Sequence, residues 1–389
     1  MNMKKSIPKI SERAGQIKPF LAMDILERAG EMENAGIDVV HLEVGEPDFP
    51  VPPSVKAVTL DALHEDYTCY THSLGDLRLR EAICRHYASR YGVSVSPERV
   101  MVTAGTSPAM LLVFAAILDP GDEVILSDPH YACYPNFVRF SGGRPVMVPV
   151  YENDGFQLSA AAIKPYLTPQ TRAVIINSPA NPTGTVLSGQ RLREIAELPA
   201  NIISDEVYHG LVYEGEEHSI LEYTDEAFVL NGFSKAYAMT GLRLGYVIMP
   251  ETFVRTIQVL HQNFMISANS LAQRAGIAAL EHAAGDVARM RETYDQRRRY
   301  MIKRLGEMGF HLTVEPTGAF YVFVNAAHID RDSLRLAFDI LEKARVGVTP
   351  GIDFGDNGEG YLRFSYANSI ENIAAGLDRL KGYLEQRNG

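Results

Sequence analysis

Residues Asn231 to Tyr246 read NGFSKAYAMTGLRLGY, and an apolar run, Phe228 to Leu230, leads into them. The run has the pattern of a buried strand, which puts Lys235 just beyond its end, where an amine is poorly solvated. Desolvation lowers an amine pKa, and a neutral amine attacks a carbonyl carbon to form an imine. Arg243 follows eight residues later, between Leu242 and Leu244. Ser234 offers a hydroxyl donor and Arg243 a guanidinium fork, together a clamp for phosphate. An imine-forming lysine beside such a clamp points to pyridoxal phosphate. On these residues alone the alternative is a structural lysine paired with a carboxylate, and an arginine in an ordinary ion pair.

Outward from this stretch, short apolar runs alternate with turns and helical segments. The expected strands are Val100–Thr103, Val124–Ser127, Pro145–Pro149, Ala173–Asn177, Ile202–Ser204, Phe228–Asn231 and Gly245–Met249. Most lack strict alternation, as strands covered on both faces do. Helices such as Pro108–Leu118 and Arg191–Leu198 fall between several of them. The pattern predicts an α/β fold with a mostly parallel seven-stranded sheet covered by helices, plus a smaller α+β domain. The expected division is a large domain over residues 48–285 and a small one built from residues 1–47 and 286–389.

Ligands of such sheets lie beyond the carboxyl ends of the strands. Five ends carry suitable residues. After the first come Gly105, Thr106 and Ser107, then Pro108 at an expected helix N1 position, a small-residue turn suited to an anion. After the second comes Tyr131, able to stack on a planar ring or to be a core tyrosine. Ser178-Pro179-Ala180-Asn181-Pro182-Thr183-Gly184 forms a rigid loop that aims the Asn181 amide, with Asn181-Pro182 a candidate cis bond. Asp205 ends a buried run and needs a cationic partner, and Tyr208 follows three residues on. The fifth end delivers Lys235.

The flanks are less eventful. Ile17 to Gly36 reads as a helix, Val39 to Val44 as a strand, and Ser54 as the cap of the next helix. Asp76 to Tyr91 is a helix stopped by Gly92. Ser270–His282 and Asp286–Met308 are long helices, and Arg297-Arg298-Arg299 in the second reads as a solvated face. Ala319–Val324 and Tyr361–Ser365 are strands flanking the helix Ser333–Ala344, and Ile370–Leu384 closes the chain.

Composition narrows the function classes. The chain has 389 residues, 46% hydrophobic and 22% charged, enough for two domains. No apolar run nears the ~20 residues of a membrane span, and the basic start MNMKKSIPKI lacks a signal-peptide core. Three cysteines without CxxC spacing argue against a disulfide framework or a zinc site and fit a reducing, cytoplasmic setting. A net charge of −11 with no basic aromatic run gives no sign of nucleic acid. Fingerprints for dinucleotides, P-loops, zinc proteases and serine hydrolases are missing.

The ordered motifs resemble those of fold type I, class I/II aminotransferases of the aspartate aminotransferase superfamily. They are GEPDFP (Gly45–Pro50), YTHSLG (Tyr70–Gly75), LREAI (Leu79–Ile83), DPGDEVI (Asp119–Ile125), SPANPTG (Ser178–Gly184), SDEVY (Ser204–Tyr208), SKAYAMTGLRLGY (Ser234–Tyr246), GAFYVF (Gly318–Phe323) and YLRFSYA (Tyr361–Ala367). The resemblance implies pyridoxal 5'-phosphate held as an imine on Lys235, with Asp205 on its ring nitrogen and Asn181 and Tyr208 on its ring oxygen. It implies Gly105, Thr106, Ser107, Ser234 and Arg243 at the phosphate and Tyr131 on the ring. Tyr70 would reach the site of a neighbouring subunit in a homodimer. Arg363 would clamp the substrate carboxylate near Gly45. The implied reaction moves an amino group between an amino acid and a 2-oxo acid. Ala180, where many relatives carry Asn or His, and a short Ser188–Ala200 segment depart from the pattern. The rivals are a β-lyase or an aspartate-type enzyme on the same scaffold, and a non-catalytic regulator with a DNA-binding extension. For the donor side chain, Phe20, Phe264, Met265 and Ile266 suggest an apolar wall and hence neutral, aromatic or aliphatic donors, and Lys18 is the only candidate for a second cation.

Overall fold

The computed structural model describes residues 9–310 and 312–388; the basic start, residues 1–8, lies outside them. The strands are β1 (Val40–His41), β2 (Val100–Thr103), β3 (Glu123–Asp128), β4 (Arg144–Pro149), β5 (Thr171–Asn177), β6 (Asn201–Asp205), β7 (Phe228–Gly232), β8 (Gly245–Ile248), β9 (Tyr321–Asn325), β10 (Val346–Gly347), β11 (Thr349–Pro350) and β12 (Tyr361–Ser365). Seven of them form one sheet in the order β2-β8-β7-β6-β5-β3-β4. Only β8 runs against its neighbours β2 and β7. The carboxyl ends of the other six therefore share one edge, as the sequence pattern predicts.

Side chains of these strands alternate between two apolar layers. Val100 and Val102 face one layer and Met101 the other; Val174 and Ile176 face the first, Ala173 and Ile175 the second. Both layers are covered by helices, so neither strand face needs polar residues. A third core joins the N-terminal helix Leu21–Asn34 and β1 to the antiparallel β11-β12-β9 sheet and the helices Ser333–Ala344 and Ile370–Asn388. Tyr208 and Ala236 from the edge of the large sheet belong to this core as well.

Most helix ends follow local chemistry. Asp76 caps Leu77–Tyr91 by accepting from the Arg78 N–H, and Gly92 ends it in the left-handed region at φ 68°. Four expectations need correction. The helix expected from Ile17 begins only at Leu21, because the preceding residues are extended and tied elsewhere. Ser54 does not cap: Pro52 and Pro53 set the entry to helix Pro53–His64, and the Ser54 hydroxyl is buried without a partner among the described residues. Pro108 is the third residue of its helix, not the first, since Gly105 at φ 101° starts Thr106–Ile117 earlier. The basic cluster is not a solvated face. Arg297 and Arg298 are buried. Arg297 pairs with Asp48 at 2.7 Å, and Arg298 donates to the Pro316 carbonyl at 2.7 Å and pairs with Asp295 and Glu214.

That burial is testable. Arg298→Ala is expected to lower the unfolding free energy by about 2–4 kcal/mol, between the values for exposed and fully buried pairs. Arg299→Ala, at the exposed third position, should change it by less than about 0.5 kcal/mol. Urea denaturation of both variants makes the comparison.

Candidate active site

The sheet edge and the third core meet at a cavity of about 390 Å³. Lys235, Asp205, Tyr208, Asn181, Arg243 and Arg363 all line it, as do Gly45, Thr106, Ser107, Tyr131 and Ser234. Gly105 touches it through Arg243, because a Cβ on Gly105 would lie 2.8 Å from the Arg243 guanidinium. Of the expected site residues only Tyr70 stands apart, on a surface loop and 80% exposed. That loop is nevertheless pinned: Ser73 accepts from His261 at 2.7 Å and Gln258 at 2.9 Å, and Thr71 from Gln273 at 2.9 Å.

Each side chain is aimed by its element. β5 and β6 pair Asn177 with Asp205 at their ends. The Asn177 amide donates to the Asp205 carbonyl at 2.9 Å and its oxygen accepts the Asn181 N–H at 2.8 Å, so the Asn181 loop is tied to the sheet. Bonds 128–129, 178–179 and 181–182 are cis, the last as expected. The Asp205 carboxylate is buried and accepts from the Tyr134 hydroxyl at 2.7 Å and the Val207 N–H at 3.2 Å. Burial pushes its pKa up against the pull of those bonds. The Tyr208 and Tyr321 hydroxyls bond each other at 2.8 Å.

Lys235 donates to the Gly45 carbonyl at 2.7 Å, and the Tyr208 and Phe320 rings lie about 5.9 and 5.8 Å away. Desolvation lowers its pKa to about 8, opposed by Glu46 and aided by Arg363 and Arg243. Arg243 adopts φ 52° and donates to the Thr240 carbonyl at 3.0 Å, which holds its guanidinium over the N-terminus of helix Thr106–Ile117. Free N–H groups of a helix start and a guanidinium together favour an anion. Arg363 is buried on β12 and donates to Asn181 Oδ1 at 2.8 Å, the Glu43 carbonyl at 2.6 Å and Thr349 Oγ1 at 3.0 Å. Its Nε has no partner among the described residues.

Sequence reasoning missed Tyr134, Asn177 and Tyr321, and the cavity-lining helix residues Met23, Leu26, Met110 and Phe137. Asn177 is the last residue of a predicted strand and Tyr134 lies three residues after Tyr131, signals that were present but ambiguous. The expected wall is corrected too. Phe20 lines the cavity, but Phe264 and Ile266 are 69% and 49% exposed, and Met265 packs against the apolar layer that holds Met101. In this chain the apolar side is made by Phe20, Met23, Leu26, Met110 and Phe137. Lys18 is exposed and does not line the cavity.

The profile of the family Aminotransferase class I and II matches residues 37–380. This chain belongs to that family. The aminotransferase is 39% identical to the (5-formylfuran-3-yl)methyl phosphate transaminase of Methanocaldococcus jannaschii over 97% of its own length and 100% of the relative's. It is 36% identical to aromatic-amino-acid aminotransferase 2 of Thermococcus litoralis, covering 97% and 99% of the two chains. The aspartate aminotransferase of Thermus thermophilus with maleate superposes with a TM-score of 0.93 at 37% identity, over 97% and 100% of the chains. The protein is thus an aminotransferase, an enzyme acting on amino and oxo groups. Among the described residues no helix is long and apolar enough to cross a membrane.

The Lys235 environment predicts its reactivity. In the ligand-free aminotransferase, labelling of the amine by an amine-reactive reagent, followed by mass spectrometry of the Lys235 peptide, should show an apparent pKa near 8. An ordinary lysine value, about 10.4, would contradict the desolvation.

Proposed function

We propose that this aminotransferase holds pyridoxal 5'-phosphate in the cavity and moves amino groups between neutral amino acids, aromatic or aliphatic, and a 2-oxo acid. The observation that carries the reading is one cavity in which an amine of lowered pKa, a buried carboxylate and two guanidinium groups converge. The donor set suits the cofactor. Asp205 is a buried carboxylate in need of a cation, which a protonated ring nitrogen provides. The start of helix Thr106–Ile117, with Thr106, Ser107, Ser234 and Arg243, suits a phosphate. Asn181 and Tyr208 suit a ring oxygen, and Tyr131 the ring face. When bound, the cofactor supplies an aldehyde carbon that condenses with amines and a cationic ring that takes up electrons released at the substrate Cα.

The chain's own groups do the rest. The fork of Arg363 binds the substrate carboxylate in two-point fashion, with the Gly45 backbone beside it. Lys235, whose lowered pKa gives it a minor neutral fraction at neutral pH, would take the Cα proton on Nζ and return it at the cofactor carbon on the other side of the shared nitrogen. Asp205 stays ionised opposite the ring cation and keeps it protonated. Among the described residues of one copy the cavity lining offers Lys235, Arg243 and Arg363 as its cations, and each has a role in this scheme other than binding a second substrate carboxylate. Phe20, Met23 and Leu26 favour an apolar side chain by about 1–3 kcal/mol per well-filled group.

The same reading makes the enzyme a homodimer. Tyr70 is an exposed aromatic on a pinned loop, suited to the site of a second copy. It divides the chain into a large domain, residues 48–285, and a small one, residues 1–47 and 286–389. It places the enzyme in the cytoplasm, consistent with three free cysteines.

Borohydride reduction of the holoenzyme should fix the cofactor on the Lys235 peptide, and Lys235→Ala should retain weak cofactor binding but lose turnover. Asp205→Ala should lose more than tenfold in kcat, over ~1.4 kcal/mol of barrier. In a donor panel compared by kcat/KM, a neutral donor should lead; aspartate tenfold above every neutral donor would overturn the substrate reading.

A further inference from the structure

The helix that supplies Met23 and Leu26 to the apolar side of the cavity starts without a cap of its own. Phe20 precedes helix Leu21–Asn34 and offers no side-chain acceptor, so the first N–H groups must be satisfied from elsewhere. Asp353 satisfies two of them. Leu21 N–H donates to Oδ1 at 2.9 Å and Ala22 N–H to Oδ2 at 3.1 Å. Asp353 lies 332 residues from Leu21, in the short turn Gly351–Phe354 between β11 and β12, and is buried.

That turn is itself anchored on the large sheet. Asp128, at the carboxyl end of β3, accepts the Asn357 N–H at 3.1 and 3.2 Å. The Asn357 amide donates back to the Asp128 and Val150 carbonyls at 3.2 and 2.6 Å, and His130 N–H donates to the Phe354 carbonyl at 2.8 Å. Gly355 adopts φ 118°, and any Cβ there would collide with the Asp128 carboxylate. The strap before the helix has a second tie: Lys18 N–H and carbonyl bond the Asn136 side chain at 3.1 and 3.0 Å. Between the two ties the Phe20 ring meets Tyr131 edge-on at 6.0 Å.

We propose that Asp353 is a positioning residue for the donor side chain: it fastens the start of helix Leu21–Asn34 to the anchored turn, so that Phe20, Met23 and Leu26 stand as a fixed apolar wall. The proposal rests on the reading above that this wall faces the donor side chain. Asp353 touches no reacting atom. Its effect is selective, because a small donor makes little use of the wall and a large apolar donor depends on it.

The charges around Asp353 come from several elements. Burial pushes its carboxyl up to about 6; the Leu21 and Ala22 N–H groups and Arg363 on β12 hold it down, and Asp24 on the helix raises it. Cys133, before helix Tyr134–Phe140, also feels its charge.

The test compares wild type, Met23→Ala and Asp353→Asn holoenzymes with L-phenylalanine and L-alanine as donors and 2-oxoglutarate as acceptor. Met23→Ala should raise the phenylalanine KM; if it does not, the wall does not face the donor and the underlying reading fails. Given that rise, Asp353→Asn should raise the phenylalanine KM about tenfold, the scale of one well-filled apolar contact, with kcat and the alanine KM within twofold. An unchanged phenylalanine KM, or equal losses with both donors, would overturn the role of Asp353. Should Asp353→Asn fail to fold, Asn136→Ala, which frees the other end of the strap, should raise the phenylalanine KM alone; no such rise would overturn the proposal.

Discussion

A guanidinium buried in a protein must be surrounded by acceptors, and Arg363 shows how much structure that demand organises. Its acceptors come from the Asn181 loop, the Glu43 carbonyl after β1 and Thr349 on β11, the first two 182 and 320 residues away in sequence. The Tyr321 and Phe354 rings lie 4.3 and 4.9 Å from it. One cation thereby holds the edge of the seven-stranded sheet, the N-terminal segment and the small antiparallel sheet around a common point. The acceptors bind the side of the fork they can reach and leave Nε bare among the described residues.

Burial then works on the ionisable groups in opposite directions. Desolvation disfavours charge of either sign, so the same cavity lowers the Lys235 amine and raises the Asp205 carboxyl. The lysine gains a neutral fraction that an exposed amine lacks at neutral pH. The carboxylate becomes a group whose ionisation depends on a cation nearby. Tyr134 and Val207 temper the second shift by donating to the anion. Two more buried carboxyls, Asp128 and Asp353, are raised to about 6 for the same reason, and both hold backbone N–H groups of distant segments. Carboxylates in this fold serve as fasteners as well as partners for cations.

The geometry also separates general from selective machinery. Groups delivered by the strand ends, from Gly105 to Lys235, are fixed by the register of the sheet and in the proposed reaction would serve any α-amino acid. Part of the apolar side of the cavity, Phe20, Met23 and Leu26, comes from a helix near the N-terminus and the residue before it, which have no register with the sheet. The start of this helix is fastened by side-chain bonds at Asp353 and Asn136, and its inner face packs in the third core through Ile25, Ala29 and Met32. Relatives acting on an aromatic amino acid, on aspartate and on a furan phosphate share the fold. Variation in such fastened, unregistered elements is a physical route to that spread.

The sequence by itself determined what depends on neighbours along the chain. The seven strands stand within about two residues of their expected places because apolar runs of that length have to be covered on both faces. Asp76 and Gly92 mark helix ends by local backbone chemistry. The strand-end positions of Asp205 and Lys235, and Arg363 within an apolar run, were legible for the same reason, since a polar group at such a place needs a partner. Only the tertiary structure decided where segments meet. Ser54 lost its capping role to two prolines, Arg297 and Arg298 were buried by carboxylates from other segments, and Phe264 and Ile266 were left outside the cavity that Met23 and Leu26 enter. Asp353 shows the limit most plainly. A helix cap is ordinarily read from the residue next to the helix, and this one is supplied from 332 residues away, a distance over which periodicity and spacing carry no information.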